Sequence, residues 1–147
     1  ELLEQGVDPW MVTQKVYESY EFTRLKLMGH VFAGVERNSD GRIAWVVVTE
    51  EHYRRTGTSA EDTEDFVNFV RSINGVEVAV LFRQTGANQY KVSLRSKGRI
   101  DLSDLAKSLG GGGHRNASGC VLDGSFEEVR RTVIETVEAA IKAQLGA

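Results

Sequence analysis

Four consecutive glycines at residues 110–113 constrain the fold of this sequence more than any other feature. Glycine accepts positive φ angles and lets the backbone approach a ligand closely, so successive N–H groups can form a concave site for a phosphate. His114 follows the run directly and can donate a hydrogen bond to the same anion. We interpret residues 111–116 as an anion-binding loop, with a structural turn as the alternative.

The two interpretations predict different consequences for a substitution in the run. An exposed loop contributes little to the core, so alanine at Gly113 should impair ligand binding and leave the melting temperature almost unchanged. A structural turn predicts a lower melting temperature instead. Gly110 alone follows an expected helix and is typical of the left-handed cap that ends one.

Composition limits the classes of function that this chain can have. Its 147 residues carry a net charge of −3, so an anion site must be local and not the product of a general basic field. The single cysteine, Cys120, excludes an internal disulfide and is compatible with a reducing compartment. No apolar run reaches the roughly 18–20 residues of a membrane span. We therefore expect a cytoplasmic protein with no membrane partner.

Hydrophobic periodicity and turn residues predict an α+β fold, a mixed sheet of about five strands with helices packed on it. The expected strands are residues 31–36, 43–49, 76–82, 90–95 and 119–122. The expected helices are residues 10–28, a helix that begins at the capping box 59–62 and ends at 74, residues 102–109, and a long helix from the capping box at 125–128 to about 141. Residues 1–4 read as a helix already under way, which favours a fragment of a longer protein.

A second polar segment lies close to the glycine run in sequence. Arg95, Ser96 and Lys97 end an alternating strand, and they supply a guanidinium, a hydroxyl and an ammonium group that suit a phosphate. By itself this segment could be a solvated turn. Because only a short helix separates it from the glycine run, a returning strand would bring both segments to one rim of the sheet.

The remaining candidates are weaker. His30 and His52 lack partners at zinc-like spacing, so we expect no metal site. Cys120 lies in an apolar strand and is expected to be buried. Tyr90 and Phe82 could stack on a base, although core packing is the better expectation for Phe82.

The segments Arg95–Gly98 and Gly111–Gly119 resemble the C-terminal DHH-associated domain of the DHH phosphoesterases. Within that family the chain is most similar to the bacterial bifunctional oligoribonuclease and pAp phosphatase (nano-RNase) branch, and more distantly to the RecJ-like exonucleases. The resemblance covers essentially the whole chain. It implies an interdomain linker helix at residues 1–28 and a substrate-binding domain at residues 29–147.

The resemblance also implies a division of labour between two domains. A missing N-terminal domain would hold two divalent metals, usually manganese, through an Asp-His-His motif that does not occur here. This chain would bind short single-stranded RNA or DNA, or a nucleotide such as pAp, and would carry no catalytic residue. The full-length protein could form a homodimer. By that match the residues that bind substrate and its phosphate are Arg95, Ser96, Lys97, Gly111, Gly112, Gly113, His114 and Asn116.

Several alternatives stay open at this point. Within the same family they are a cyclic-dinucleotide phosphodiesterase and a RecJ-type single-strand exonuclease, while a pyrophosphatase is disfavoured because two phosphates need a denser basic cluster. Outside it, a non-enzymatic single-strand-binding module would require a basic groove with exposed aromatic side chains. The related domain of alanyl-tRNA synthetases is a further, weaker alternative.

Overall fold

The structure, a computed structural model, describes residues 8–146. The strands are β1 (Glu36–Arg37), β2 (Ile43–Val48), β3 (Val78–Gly86), β4 (Gln89–Ser96), β5 (Gly112–His114) and β6 (Ala117–Asp123). The helices are α1 (Pro9–Tyr17), α2 (Phe22–Phe32), α3 (Glu50–Thr56), α4 (Phe66–Arg71), α5 (Ser103–Ser108) and α6 (Phe126–Leu145), with a short 3-10 helix at Ala60–Thr63. The expected helical start at residues 1–4 lies outside the described residues.

The six strands form one open sheet in the order β1-β2-β3-β4-β6-β5. Only β2 and β3 pair in parallel; every other neighbouring pair is antiparallel. The predicted α+β fold with a mixed sheet is confirmed. The sheet has one strand more than expected, because the glycine run forms an edge strand.

Helix α6 covers one face of the sheet. Its capping box is present, with the Ser125 side chain accepting a hydrogen bond from the backbone N–H of Glu128. The apolar stripe of α6 is buried; Val129, Val133, Val137 and Ile141 are each at most 2% exposed. Burying one such side chain stabilises the fold by about 1.5–3 kcal/mol. This layer closes the core against β2, β3, β4 and β6.

The opposite face of the sheet is only partly covered. Helices α2 and α4 pack on β2 and β3 there, through buried side chains such as Leu27, Val31 and Phe66. On β4 the alternate positions that point to this face are exposed or half-buried, and so are those of β6. Residues 8–146 therefore leave an uncovered area of sheet between α4 and the edge strand β5.

The N-terminal part differs from the expectation of one helix over residues 10–28. Two helices are present, and α2 extends through residue 32, so the strand predicted over residues 31–36 is wrong except for its last residue. The predicted domain boundary near residue 28 falls inside α2. Leu27 and Val31, on either side of it, pack into the same core, and Arg24 forms an ion pair with Asp65 at the start of α4.

Helix α3 was not predicted. It begins with a capping box in which the Thr49 side chain accepts from the His52 backbone N–H, while the Thr49 N–H donates to His52 Nδ1 at 3.1 Å. The expected glutamate or glutamine of such a box is replaced by histidine. Across residues 8–146, no helix combines the length and the apolar character that crossing a membrane requires.

Candidate substrate-binding site

The first half of the glycine run closes helix α5. Gly110 has φ of 78°, and its N–H donates to Lys107 O at 3.0 Å. The Gly111 N–H donates to Ala106 O at 2.8 Å. The predicted cap at Gly110 is thus confirmed. Both N–H groups are used within the protein, so a phosphate would have to be met by the residues that follow.

The second half of the run is a strand and not the predicted loop. Residues 112–114 form β5, which pairs antiparallel with β6 across a hairpin turn at Arg115 and Asn116. Because β5 is the last strand of the sheet, at least one N–H of this three-residue strand points away from β6 and has no strand partner among the described residues. A backbone donor is therefore offered by the edge of a sheet and not by the predicted loop.

Close packing requires glycine at two positions of the run. A Cβ on Gly111 would lie 2.0 Å from Gly119 O, and one on Gly113 would lie 2.5 Å from Ser118 Cα. Gly113 also has φ of 145°, a conformation that L side chains rarely adopt. Gly112 is different, since a Cβ there would meet no atom within 4 Å. The structure thereby reverses the expectation that alanine at Gly113 leaves stability unchanged.

The register of the sheet brings His114 and Arg95 to the same face. His114 lies opposite Ala117 on β6, and Ala117 lies opposite Arg95 on β4. Directly opposite residues share a face, and two strand spacings separate the outer pair by about 10 Å. The small Ala117 between them leaves the space above open. A phosphate bound there is within reach of both long side chains.

Arg95 is the cation of this row, and it has no carboxylate partner among the described residues. Its guanidinium donates to Leu94 O at 2.9 Å, and within the described chain it forms no ion pair. Burial, and then the charge of Arg71, lower the pKa of Arg95 from its ordinary value, yet an arginine stays protonated. Arg115, the other candidate for a bidentate contact, lies 3.7 Å from Asp101 and faces that carboxylate.

Arg95 and Ala117 of this row border a cleft of about 570 Å³ on the uncovered face of the sheet, and His114 directly follows Gly113, which also lines it. Its lining comprises Lys91, Val92, Ser93, Arg95, residues 110–113 and residues 117–121. The next row of the sheet is formed by Ser93, Gly119 and Gly112. Because two of these residues have no side chain, the floor of the cleft is mostly backbone, which a ligand can approach closely.

Comparison with known proteins decides the family. Residues 33–143, from the end of α2 to near the end of α6, match the DHHA1 domain. The chain belongs to this family. The resemblance to DHH-associated domains is thereby confirmed, and it now includes all six strands of the sheet and the cleft.

Two relatives of this DHHA1 domain from different bacteria carry the same protein name. The chain is 33% identical over 113 residues to the bifunctional oligoribonuclease and PAP phosphatase NrnA of Thermus thermophilus, and 28% identical over 135 residues to the protein of that name from Bacillus subtilis. These matches span 76% and 92% of this chain but only 33% and 42% of the relatives. An exopolyphosphatase-related protein from Bacteroides fragilis superimposes with a TM-score of 0.79 at 34% identity, over 97% of this chain and 41% of that one.

The other predicted substrate ligands of the DHHA1 domain have contacts within the protein. Ser96 is 2% exposed, and its Oγ accepts from the N–H groups of Gly98 at 3.0 Å and Ile100 at 3.3 Å. Lys97 Nζ donates to a backbone carbonyl of the segment after α4 at 2.8 Å. The carbonyl of Asn116 accepts from Ser96 N. These three residues therefore have structural contacts of their own, whereas the side chains of Lys91, Ser93 and Arg95 line the cleft and His114 lies beside it.

The remaining candidate residues contribute no side chain to the cleft floor. The rings of Phe82 and Tyr90 are buried, and their centroids lie 5.4 and 5.6 Å, respectively, from that of Phe126. Neither ring therefore presents a face for a base. Cys120 is buried as expected, and burial raises the pKa of its thiol. In residues 8–146 no group of three or more histidine, cysteine or acidic side chains is placed to hold a metal ion.

Among the cleft residues that sequence reasoning missed, Lys91 and Ser93 carry polar side chains on the open face of β4. A signal for both was present, because the alternation of β4 places them on the same face as Arg95. The three consecutive polar residues 95–97 at the end of the strand form a more conspicuous pattern than this alternation.

Proposed function

We propose that this chain is the substrate-binding domain of a DHH-family phosphoesterase that degrades short oligonucleotides and also accepts a nucleotide such as pAp. The observation that carries the proposal is the row formed by His114, Ala117 and Arg95 beside the glycine edge strand. Arg95 supplies a guanidinium that lines the cleft and has no carboxylate partner among the described residues, and His114 supplies an imidazole on the same face beside it. The edge strand β5 adds an outward-pointing backbone N–H. The names of the relatives support the substrate class.

In this proposal the chain orients the substrate and stabilises charge. The row described above would hold a phosphate next to the cleavage point, with His114 and the β5 backbone donating to its non-bridging oxygens. Arg95 would bind the same or the neighbouring phosphate through its fork of N–H groups. Activation of the attacking water would come from two divalent metals, which we expect to be manganese, held by a separate N-terminal domain.

The division of labour predicts that this chain alone is inactive. We expect no hydrolysis of a short oligoribonucleotide or of pAp by the purified chain with added manganese. The measurement is product formation over several hours at high protein concentration. Hydrolysis that persists through repeated purification and disappears in His114→Ala would contradict the two-domain proposal.

Binding by the isolated chain should be weak and only slightly dependent on salt. Each phosphate neutralised on a single strand changes the slope of log K against log salt by about −0.7, so two contacts predict a slope of about −1.4. Titration of a labelled short oligonucleotide at several salt concentrations gives this slope. Tight binding of long strands with a steep slope would favour the single-strand-binding module instead.

A further inference from the structure

The uncovered face of the sheet carries a second cation that the family resemblance did not single out. Lys91 and Arg95 lie on the same face of β4, four residues apart, which is roughly 13 Å along the strand. Lys91 is exposed and lines the same cleft. A phosphate held between Arg95 and His114 therefore leaves Lys91 free for another one.

The surroundings of Lys91 favour an anion. Arg83 lies directly opposite it on β3, and like charges at such positions repel. The guanidinium of Arg83 turns toward the 3-10 helix, where it donates to Ala60 O at 3.2 Å. Among the described residues Lys91 has no ion-pair partner. An anionic ligand would supply the missing counter-charge to its ammonium group.

The strand on the other side of Lys91 offers an apolar contact. Val121 lies opposite Lys91 on β6 and is 55% exposed. Between this pair and the row of Arg95 lies the floor of Ser93 and Gly119, which has only one small side chain. A sugar and base could lie against Val121 while the ligand backbone crosses the floor.

One row beyond Lys91 and Val121, the residues on this face are no longer cationic. Gln89 and Asp123 lie opposite each other on this face, and Gln89 Nε2 donates to Asp123 Oδ1 at 3.0 Å. The negative charge of Asp123 opposes continuation of a polyanion in that direction. The face therefore has room for one phosphate beyond Arg95.

We propose that Lys91, with Val121 beside it, forms a second phosphate subsite, so that the domain binds a short oligonucleotide more tightly than a mononucleotide. This inference rests on the proposed function, because the subsite is defined by its distance from the phosphate held at Arg95 and His114. It assigns Lys91 a role in substrate length and none in the chemical step.

The test compares two probes on the 147-residue chain, adenosine 5′-monophosphate and the 5′-phosphorylated triadenylate. In Lys91→Gln we expect the Kd of the trinucleotide to rise roughly threefold to tenfold, as for an exposed charge-assisted contact. Its salt slope should become shallower by about 0.7. The Kd of the mononucleotide should stay within about twofold, because that ligand reaches only the first subsite.

Lys142→Gln is the matched control, since it removes the same charge from an exposed position on α6, which packs on the other face of the sheet. The inference is overturned if Lys91→Gln and Lys142→Gln bind the trinucleotide alike, or if wild type binds both probes equally. The proposed function fails separately, if His114→Ala leaves the affinity for both probes unchanged.

Discussion

Replacing Gly113 with alanine should lower the free energy of unfolding by about 3 kcal/mol. The added Cβ would lie 2.5 Å from Ser118 Cα and 2.6 Å from Ala117 O, and both neighbours are fixed in β6. Overpacking of this kind costs about 1–3 kcal/mol, and a side chain at φ of 145° adds strain of about 1–3 kcal/mol. Urea denaturation followed by circular dichroism measures the difference.

Gly112→Ala provides the control within the same strand. It makes the same chemical change at the neighbouring residue, where a Cβ meets no atom within 4 Å and φ is not positive. Its free energy of unfolding should stay within about 0.5 kcal/mol of wild type, while a methyl group in the cleft should weaken ligand binding. Equal denaturation midpoints for wild type and Gly113→Ala would show that β5 does not pack on β6 as described.

Replacing His114 with alanine should weaken phosphate binding tenfold to a hundredfold. The substitution removes one donor to a charged oxygen, a contact of about 1.5–3 kcal/mol. In the full-length protein the loss should appear in kcat as well as in KM, provided the contact strengthens as charge develops on the phosphoryl oxygens. Isothermal titration of the chain and steady-state kinetics of the full-length protein measure the two effects.

Two further variants separate a ligand contact from a structural role for His114. His114→Gln keeps an N–H donor and should recover part of the affinity, which a purely structural role would not predict. His30→Ala removes an exposed histidine from the last turn of α2 and should leave binding unchanged. The melting temperature of His114→Ala should match wild type, because the side chain is exposed and the described residues offer its imidazole no hydrogen-bond partner. Normal binding in His114→Ala would contradict the proposed site.

Elements stabilised by local interactions were predictable from the sequence. The capping box at Ser125 and the stripe from Val129 to Ile141 identify α6, since both depend on residues three or four apart. Strands β2 and β4 were likewise predicted from β-branched content and alternation. For the same reason Arg95 could be placed near the end of a strand before its neighbours were known.

Other elements were missed because their local signal was unusual or ambiguous. Helix α3 begins with a box closed by His52, an acceptor that a pattern restricted to glutamate and glutamine does not include. The apolar period from residue 10 to residue 28 continues across the break between α1 and α2. Periodicity records which residues face a common side and does not distinguish one helix from two in succession.

The glycine run shows most clearly where the sequence alone is insufficient. Its composition identified an anion-binding candidate, and Gly110 was recognisable as a helix cap. Whether the next residues form a loop or a strand depends on pairing with β6, and that pairing also decides which glycines are required by packing. The alignment of His114 with Arg95 likewise follows from two successive strand registers. Both are contacts between segments distant in sequence, so no local pattern encodes them, and only the tertiary structure determines the geometry of the site.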